Sequence, residues 1–148
     1  FASWASNFVQ QSWNSASPNW GGEPVGGAIS ANYNWADHPV QVTNRGAVDE
    51  KWALVFTSTT TYNLLSQTRG LIASGNLTTD LAPLNPNTGT PYFVLEAAGF
   101  SSGWATGNVV RFNTSSALAP VWLLRCVSVG RATRPDDRFE VTERGDAD

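Results

Sequence analysis

The feature that most constrains this chain is its segmentation. Short runs of β-branched and aromatic residues are each bounded by Gly, Pro, Asn or Ser. The runs are Val40–Thr43, Trp52–Thr57, Tyr92–Leu95, Asn108–Phe112, Val121–Val129 and Arg138–Arg144. In the last of them Phe139, Val141 and Glu143 alternate with Arg138, Glu140, Thr142 and Arg144, the period of a strand with one wet face. Trp52, Leu54 and Phe56 also share a face, whereas Val121–Val129 is apolar on both faces and reads as a central, doubly covered strand. Helical period is thin. Asp49-Glu50-Lys51-Trp52 has a helix-like start, but Val55, Phe56 and the threonines that follow favour a strand. A turn at Thr79–Ala82 would stop before Pro83. Asp80 to Pro91 holds three prolines and the turn Asn87-Thr88-Gly89, so it reads as an ordered surface loop.

Short strands without crossover helices predict an all-β fold, an antiparallel β-sandwich of Ig-like or jelly-roll-like type. A chain of 148 residues suits one such domain, placed at 36–148. Residues 1–35 are rich in Ser, Pro and Gly over 14–28 and read as an extended, Trp-rich N-terminal arm. The chain begins at Phe1 without Met, which points to a processed product, an incomplete chain or an excised domain.

Composition then removes several functions. Charged residues make up 14%, against roughly 25% in an ordinary domain, and the net charge is −3 with no basic stripe, so nucleic acid is not an expected partner. One Cys excludes a disulfide framework, and one Cys with one His falls short of the roughly four ligands of a zinc site. No apolar run approaches the roughly 18 residues of a membrane helix, and no signal-peptide pattern is present, so no membrane insertion is expected.

Catalytic constellations fail on inventory. His38, the only histidine, precedes Pro39 and reads as a loop residue, which leaves Ser or Cys nucleophiles without a base. Cys126 falls in a predicted buried strand and reads as a structural thiol. Glycoside hydrolysis needs two carboxylates across a cleft, and the candidates are Asp49/Glu50, Asp136/Asp137, Glu96 and Asp80. Neighbouring acids usually point apart, so Glu96, ending an apolar strand, is the one isolated acid. Asp136, Asp137, Asp146 and Asp148 lack the spacing of a calcium loop. Arg144-Gly145-Asp146 and the sequons at Asn76 and Asn113 are patterns that chance supplies in a chain this rich in Asn, Ser and Thr. No catalytic, cofactor or metal residue is assigned, and a non-enzymatic protein without cofactor is expected.

The aromatics carry what remains. Four of the seven tryptophans lie in the first 35 residues, the segment least able to bury them by itself. They must pack on the sandwich, on a neighbouring subunit or on a ligand. Subunit contact is the expectation for Trp4, Trp13, Trp20 and Trp35. The alternative is a sugar-binding face, with Trp20, Trp35, Tyr92 and Trp104 stacking on a host-surface glycan.

From Arg45 onward the chain resembles a family of small virion proteins of tailed bacteriophages and prophages. The resemblance is carried by Arg45-Gly-Ala-Val-Asp-Glu-Lys-Trp-Ala-Leu-Val-Phe-Thr-Ser, Asn85-Pro-Asn-Thr-Gly-Thr-Pro-Tyr-Phe and Gly103-Trp-Ala-Thr-Gly-Asn-Val-Val-Arg-Phe-Asn-Thr. It continues through Ala119-Pro-Val-Trp and ends on Arg144-Gly-Asp-Ala-Asp, covering about two thirds of the chain. Cys126 and Arg134-Pro135 depart from the pattern. The resemblance transfers no catalytic residue. It implies a tail- or capsid-associated structural protein of the phage particle, working in assembly or surface decoration through contacts with copies of itself and with neighbouring virion proteins. A neutral Ser/Thr/Asn surface with Trp anchors suits such repeated contacts.

Overall fold

A computed structural model describes residues 1–8, 20–21, 26–27 and 29–117. The fold is all-β: one antiparallel sheet of five strands in the order β1-β5-β2-β3-β4. The strands are β1 (Ser3–Phe8), β2 (Glu50–Phe56), β3 (Thr61–Ser66), β4 (Gly70–Asn76) and β5 (Val109–Ser115). A single 3₁₀ turn, Ala97–Gly99, is the only helical element among the described residues, and it is far too short to cross a membrane. The expected strands Val121–Val129 and Arg138–Arg144, with Trp13, Cys126, the Asp136/Asp137 pair and Arg144-Gly145-Asp146, lie outside the described residues.

Alternation explains the sheet. Glu50, Trp52, Leu54 and Phe56 of β2 point to the core, opposite Thr114, Phe112 and Val110 of β5 and Ser66, Leu64 and Tyr62 of β3. The β2–β3 turn is tied by Ser58, whose Oγ accepts the amides of Thr60 and Thr61 at 3.1 Å. The β3–β4 loop is Gln67–Arg69, closed by Gly70 at φ +73°, a left-handed conformation that costs other residues a steric clash. Residues 3–8 add as an edge strand on β5, with Trp4 opposite Thr114.

The second layer is made of extended segments joined by isolated bridges, Tyr33↔Phe100, Gln41↔Val94, Leu81↔Leu95 and Leu84↔Pro91. Tyr33, Val40, Leu81, Tyr92, Phe93, Leu95 and Trp104 drop from this layer onto the sheet and complete the core. Trp52 meets Tyr92 and Phe93 with ring centroids 5.3 and 5.1 Å apart, and Phe93 meets Phe112 edge-on at 4.9 Å. Among the described residues this layer has no ladder of its own, in contrast to the second sheet expected of a sandwich.

Within 1–35, the segment read as an extended N-terminal arm, Ala31 and Tyr33 are core residues and Ser3–Phe8 forms β1 of the sheet. The stretch from Asp80 to Pro91 is ordered but is not a surface loop, because Leu81, Pro83 and Asn85 alternate inward. Asn85 donates Nδ2 to the Gly46 carbonyl at 3.1 Å and accepts the Asn87 amide at 3.1 Å. The two segments approach so closely there that a Cβ on Gly46 would sit 1.9 Å from the Pro91 carbonyl oxygen.

Candidate functional site

Glu96 is the hub of the polar groups with chemical potential. It follows the extended run Phe93–Leu95 and precedes the 3₁₀ turn. His38 Nδ1 lies 2.6 Å from its Oε2, and Gln41 Nε2 donates to its Oε1 at 2.6 Å. Tyr33 Oη donates to its carbonyl at 2.9 Å. The Gln41↔Val94 bridge brings these partners together from positions more than fifty residues apart in the chain. Asp80 flanks the same cluster through the Leu81↔Leu95 bridge, and its Oδ1 accepts the Ala97 amide at 2.8 Å. Burial raises the Tyr33 phenol well above its usual range, with the Glu96 carboxylate adding to the rise.

This arrangement resembles the orienting half of a catalytic triad, since a carboxylate holds His38 by Nδ1. The other half is not assembled here: among the described residues no hydroxyl or thiol is hydrogen-bonded to the remaining His38 nitrogen. Glu96 and Asp80, two of the acids weighed for hydrolysis, do lie near each other. Each is committed to holding loops together, Glu96 by two side chains and Asp80 by a backbone amide. Among the described residues no group of three His, Cys, Asp or Glu side chains gathers as a metal site.

A second polar cluster surrounds Glu50. Its side chain is 1% exposed and accepts Ser66 Oγ at 2.7 Å, Arg69 Nη1 at 2.7 Å, the Thr68 hydroxyl and the Lys51 amide at 2.9 Å. Burial alone would raise this carboxyl. The hydrogen bonds from Thr68, Ser66 and the Lys51 amide, with the Arg69 charge, outweigh it and hold the group below its usual range. Asp49 points the other way and accepts Ser116 N and Oγ at 2.9 and 3.1 Å, as neighbouring acids on a strand must.

The candidate contact and stacking rings are placed as follows. Trp4 lies half-buried against Trp35, with centroids 5.2 Å apart, and Trp35 continues onto Tyr33 at 4.5 Å and Phe112 at 6.0 Å. Trp20 crosses the outer face of the sheet: its ring lies 5.3 Å from the Arg111 guanidinium, and its carbonyl accepts Arg111 Nη2 and Lys51 Nζ. Burial beneath this segment lowers the Arg111 pKa. Tyr92 is 3% exposed, and Trp104, stacked flat on Phe56 at 4.3 Å, is 2% exposed. Neither ring can stack on a sugar, because no face is open to one. The sugar-binding alternative therefore loses Tyr92 and Trp104.

What sequence reasoning missed is the pair of strands, β1 and β4, that stand outermost in the sheet among the described residues. β1 and β4 carry no charged residue and no proline, the usual guards of an edge strand. The outer face beside β4 is only partly covered: Val55 and Leu65 are half-buried and Leu71 is 60% exposed. The signal was legible as ten residues, 70–79, without Lys, Arg, Asp, Glu or Pro.

Comparison with family models, curated proteins and solved structures finds no match to this chain.

Proposed function

We propose that this chain is a structural, non-enzymatic subunit of a tailed-bacteriophage particle, acting in assembly or surface decoration through contacts with copies of itself and neighbouring virion proteins. The observation that carries the reading is that, among the described residues, the two outer strands of the sheet are uncharged, on an all-β domain with few charged residues. A soluble protein that works alone gains by guarding its edges, because open N–H and C=O groups recruit other strands. A subunit that is meant to be covered has no such need. β1 supports the same reading: it is clipped to β5 by its ladder and by Trp4 on Trp35, a mode of attachment that a neighbouring copy can reproduce. The polar groups that chemistry would require are used as ties between segments, which fits a scaffold better than an enzyme.

Two measurements test the proposal. Immunogold labelling of particles from the source should decorate regular positions, and sedimentation of the purified chain should give species heavier than 15.9 kDa. Particles free of the chain, together with a monomer at every concentration, overturn it.

A further inference from the structure

We infer that the side chains of Lys51 and Asn113 join in an intramolecular isopeptide bond that staples β2 to β5. The inference stands apart from the subunit reading and does not rest on it. Lys51 is the only lysine of the chain, and the ladder sets it directly opposite Asn113. Directly opposed residues of an antiparallel pair share a face, with Cβ atoms about 4.5–5.5 Å apart. The flexible four-carbon stem of a lysine spans such a gap, so rotation about its own bonds brings the amine to the Asn113 carboxamide. Both residues are half-buried and line one cavity of about 310 Å³, together with Asp49.

The hydrogen bonds show which way the groups lean. Lys51 Nζ donates to the Trp20 carbonyl at 3.1 Å, and Arg111 Nη2 donates to the same oxygen at 3.2 Å. Arg111 belongs to β5, so the amine leans over β5 and away from Gln67, its neighbour on the β3 side. Asp49 leans the same way, because its carboxylate accepts Ser116 N and Oγ just beyond the end of β5. Asn113 therefore lies between the amine at the Arg111 end and the carboxylate at the Ser116 end. Among the described residues Lys51 makes no ion pair that would hold its amine elsewhere. Glu50 cannot take the part of Asp49, since its side chain turns inward and already serves four donors.

The chemistry balances without an oxidant or co-reactant. Asp49 accepts one proton from the Lys51 ammonium, and the freed lone pair attacks Asn113 Cγ to form the new C–N bond. The attacking nitrogen passes a second proton to Nδ2, the Cγ–Nδ2 bond breaks, and ammonia leaves. Asp49 then gives its proton to the ammonia, so that the products are a secondary amide, an ammonium ion and the original carboxylate. A chain with one cysteine has no internal disulfide, and this bond closes a long loop across two inner strands, constraining the unfolded chain as a disulfide does.

The test is the intact mass of the folded chain, held at neutral pH until its mass is constant. The wild type should read one ammonia below the mass of its sequence, whereas Lys51→Arg and Asn113→Ala should each read their full sequence mass. Asp49→Asn keeps the reacting pair and removes the proton carrier, so it too should stay at full mass; a bond that forms in it overturns the role given to Asp49. A wild type at full mass overturns the inference. A deficit that persists in Lys51→Arg also overturns it, and assigns the lost ammonia to an asparagine closing on its own backbone. Should the variants fail to fold, tryptic peptides of the wild type decide. Gly46–Arg69 must be recovered joined to Phe112–Arg125 and uncut at Lys51, and free peptides ending at Lys51 refute the bond.

Discussion

Replacing Glu50 by Gln keeps the shape of a buried side chain and removes only its charge. The carboxylate accepts from Ser66, Thr68 and Arg69 through one oxygen and from the Lys51 amide through the other. An amide has one acceptor oxygen. If that oxygen serves the three side chains, its NH₂ confronts the Lys51 N–H, donor against donor, and a buried donor left unmet costs about 1–3 kcal/mol. The Arg69 bond loses its opposite-charge partner and keeps only the assistance of the guanidinium charge, which weakens it. Arg69 is partly exposed and regains water, so the sum is held to about 2 kcal/mol. For a chain of this size that lowers Tm by about 4–8 °C at neutral pH.

The pH dependence supplies the refutation. Because the folded Glu50 carboxyl ionises more readily than the unfolded one, its stabilisation is full above the unfolded pKa and disappears as pH falls through the folded pKa. The gap in Tm between wild type and Glu50→Gln, read by circular dichroism melts, must therefore narrow as pH drops from 7 toward 3. A gap that stays constant over that range, or a Gln variant as stable as wild type at pH 7, refutes the account of Glu50 as a charged tie.

The two buried tyrosines make a matched pair. Tyr33→Phe loses the bond to the Glu96 carbonyl and should cost about 1 kcal/mol in denaturant melts, whereas Tyr62→Phe, whose hydroxyl has no partner among the described residues, should be neutral or stabilising. Ultraviolet titration should find Tyr62 ionising late, since burial, with the Asp80 charge beside it, pushes its phenol up to about 12. Its stabilisation is present below the unfolded pKa near 10 and is lost as pH rises toward about 12, so melts should weaken over that window. Gly46→Ala drives a methyl into the Pro91 carbonyl and should cost about 3 kcal/mol or more, seen as loss of the folded spectrum or a large fall in Tm. Trp104→Ala empties a buried site stacked on Phe56 and should cost about 3–5 kcal/mol; a Tm within a degree of wild type would contradict its place in the core.

How much of this was legible follows from what each strand shows the core. β2 and β5 were readable because Trp52, Leu54 and Phe56, and Val110 and Phe112, alternate strictly. β4 was not, because Gly75 and Ala73 sit where large apolar residues would announce a strand, and the shift at Ile72 breaks the period of two. β3 holds the right alternation, Tyr62 and Leu64, but it emerges directly from a Thr-rich turn that masks its start. The neighbours of Trp4 and Trp35 were hidden for a different reason. Trp4 and Trp35 look stranded in sequence, and only the Tyr33↔Phe100 bridge and the pairing of β1 with β5 supply the rings that cover them.

The polar groups follow one rule that sequence order conceals. In a regular sheet the backbone satisfies itself, but the second layer is joined by isolated bridges and must find other partners for its turns. Side chains supply them. Glu96 ties His38 and Gln41 to the chain before the 3₁₀ turn, Asp80 takes the Ala97 amide, and Asn85 binds the Gly46 carbonyl. Each partner is distant in sequence, so Glu96 was visible as an isolated acid while its role was not. Three of the chain's twelve acids, Glu50, Asp80 and Glu96, are used within the fold in this way, and the stretch 70–79 contains none. Among the described residues, then, acids are used as ties inside the domain while the outer strands β1 and β4 carry no charge, the pattern on which the proposed subunit role is argued.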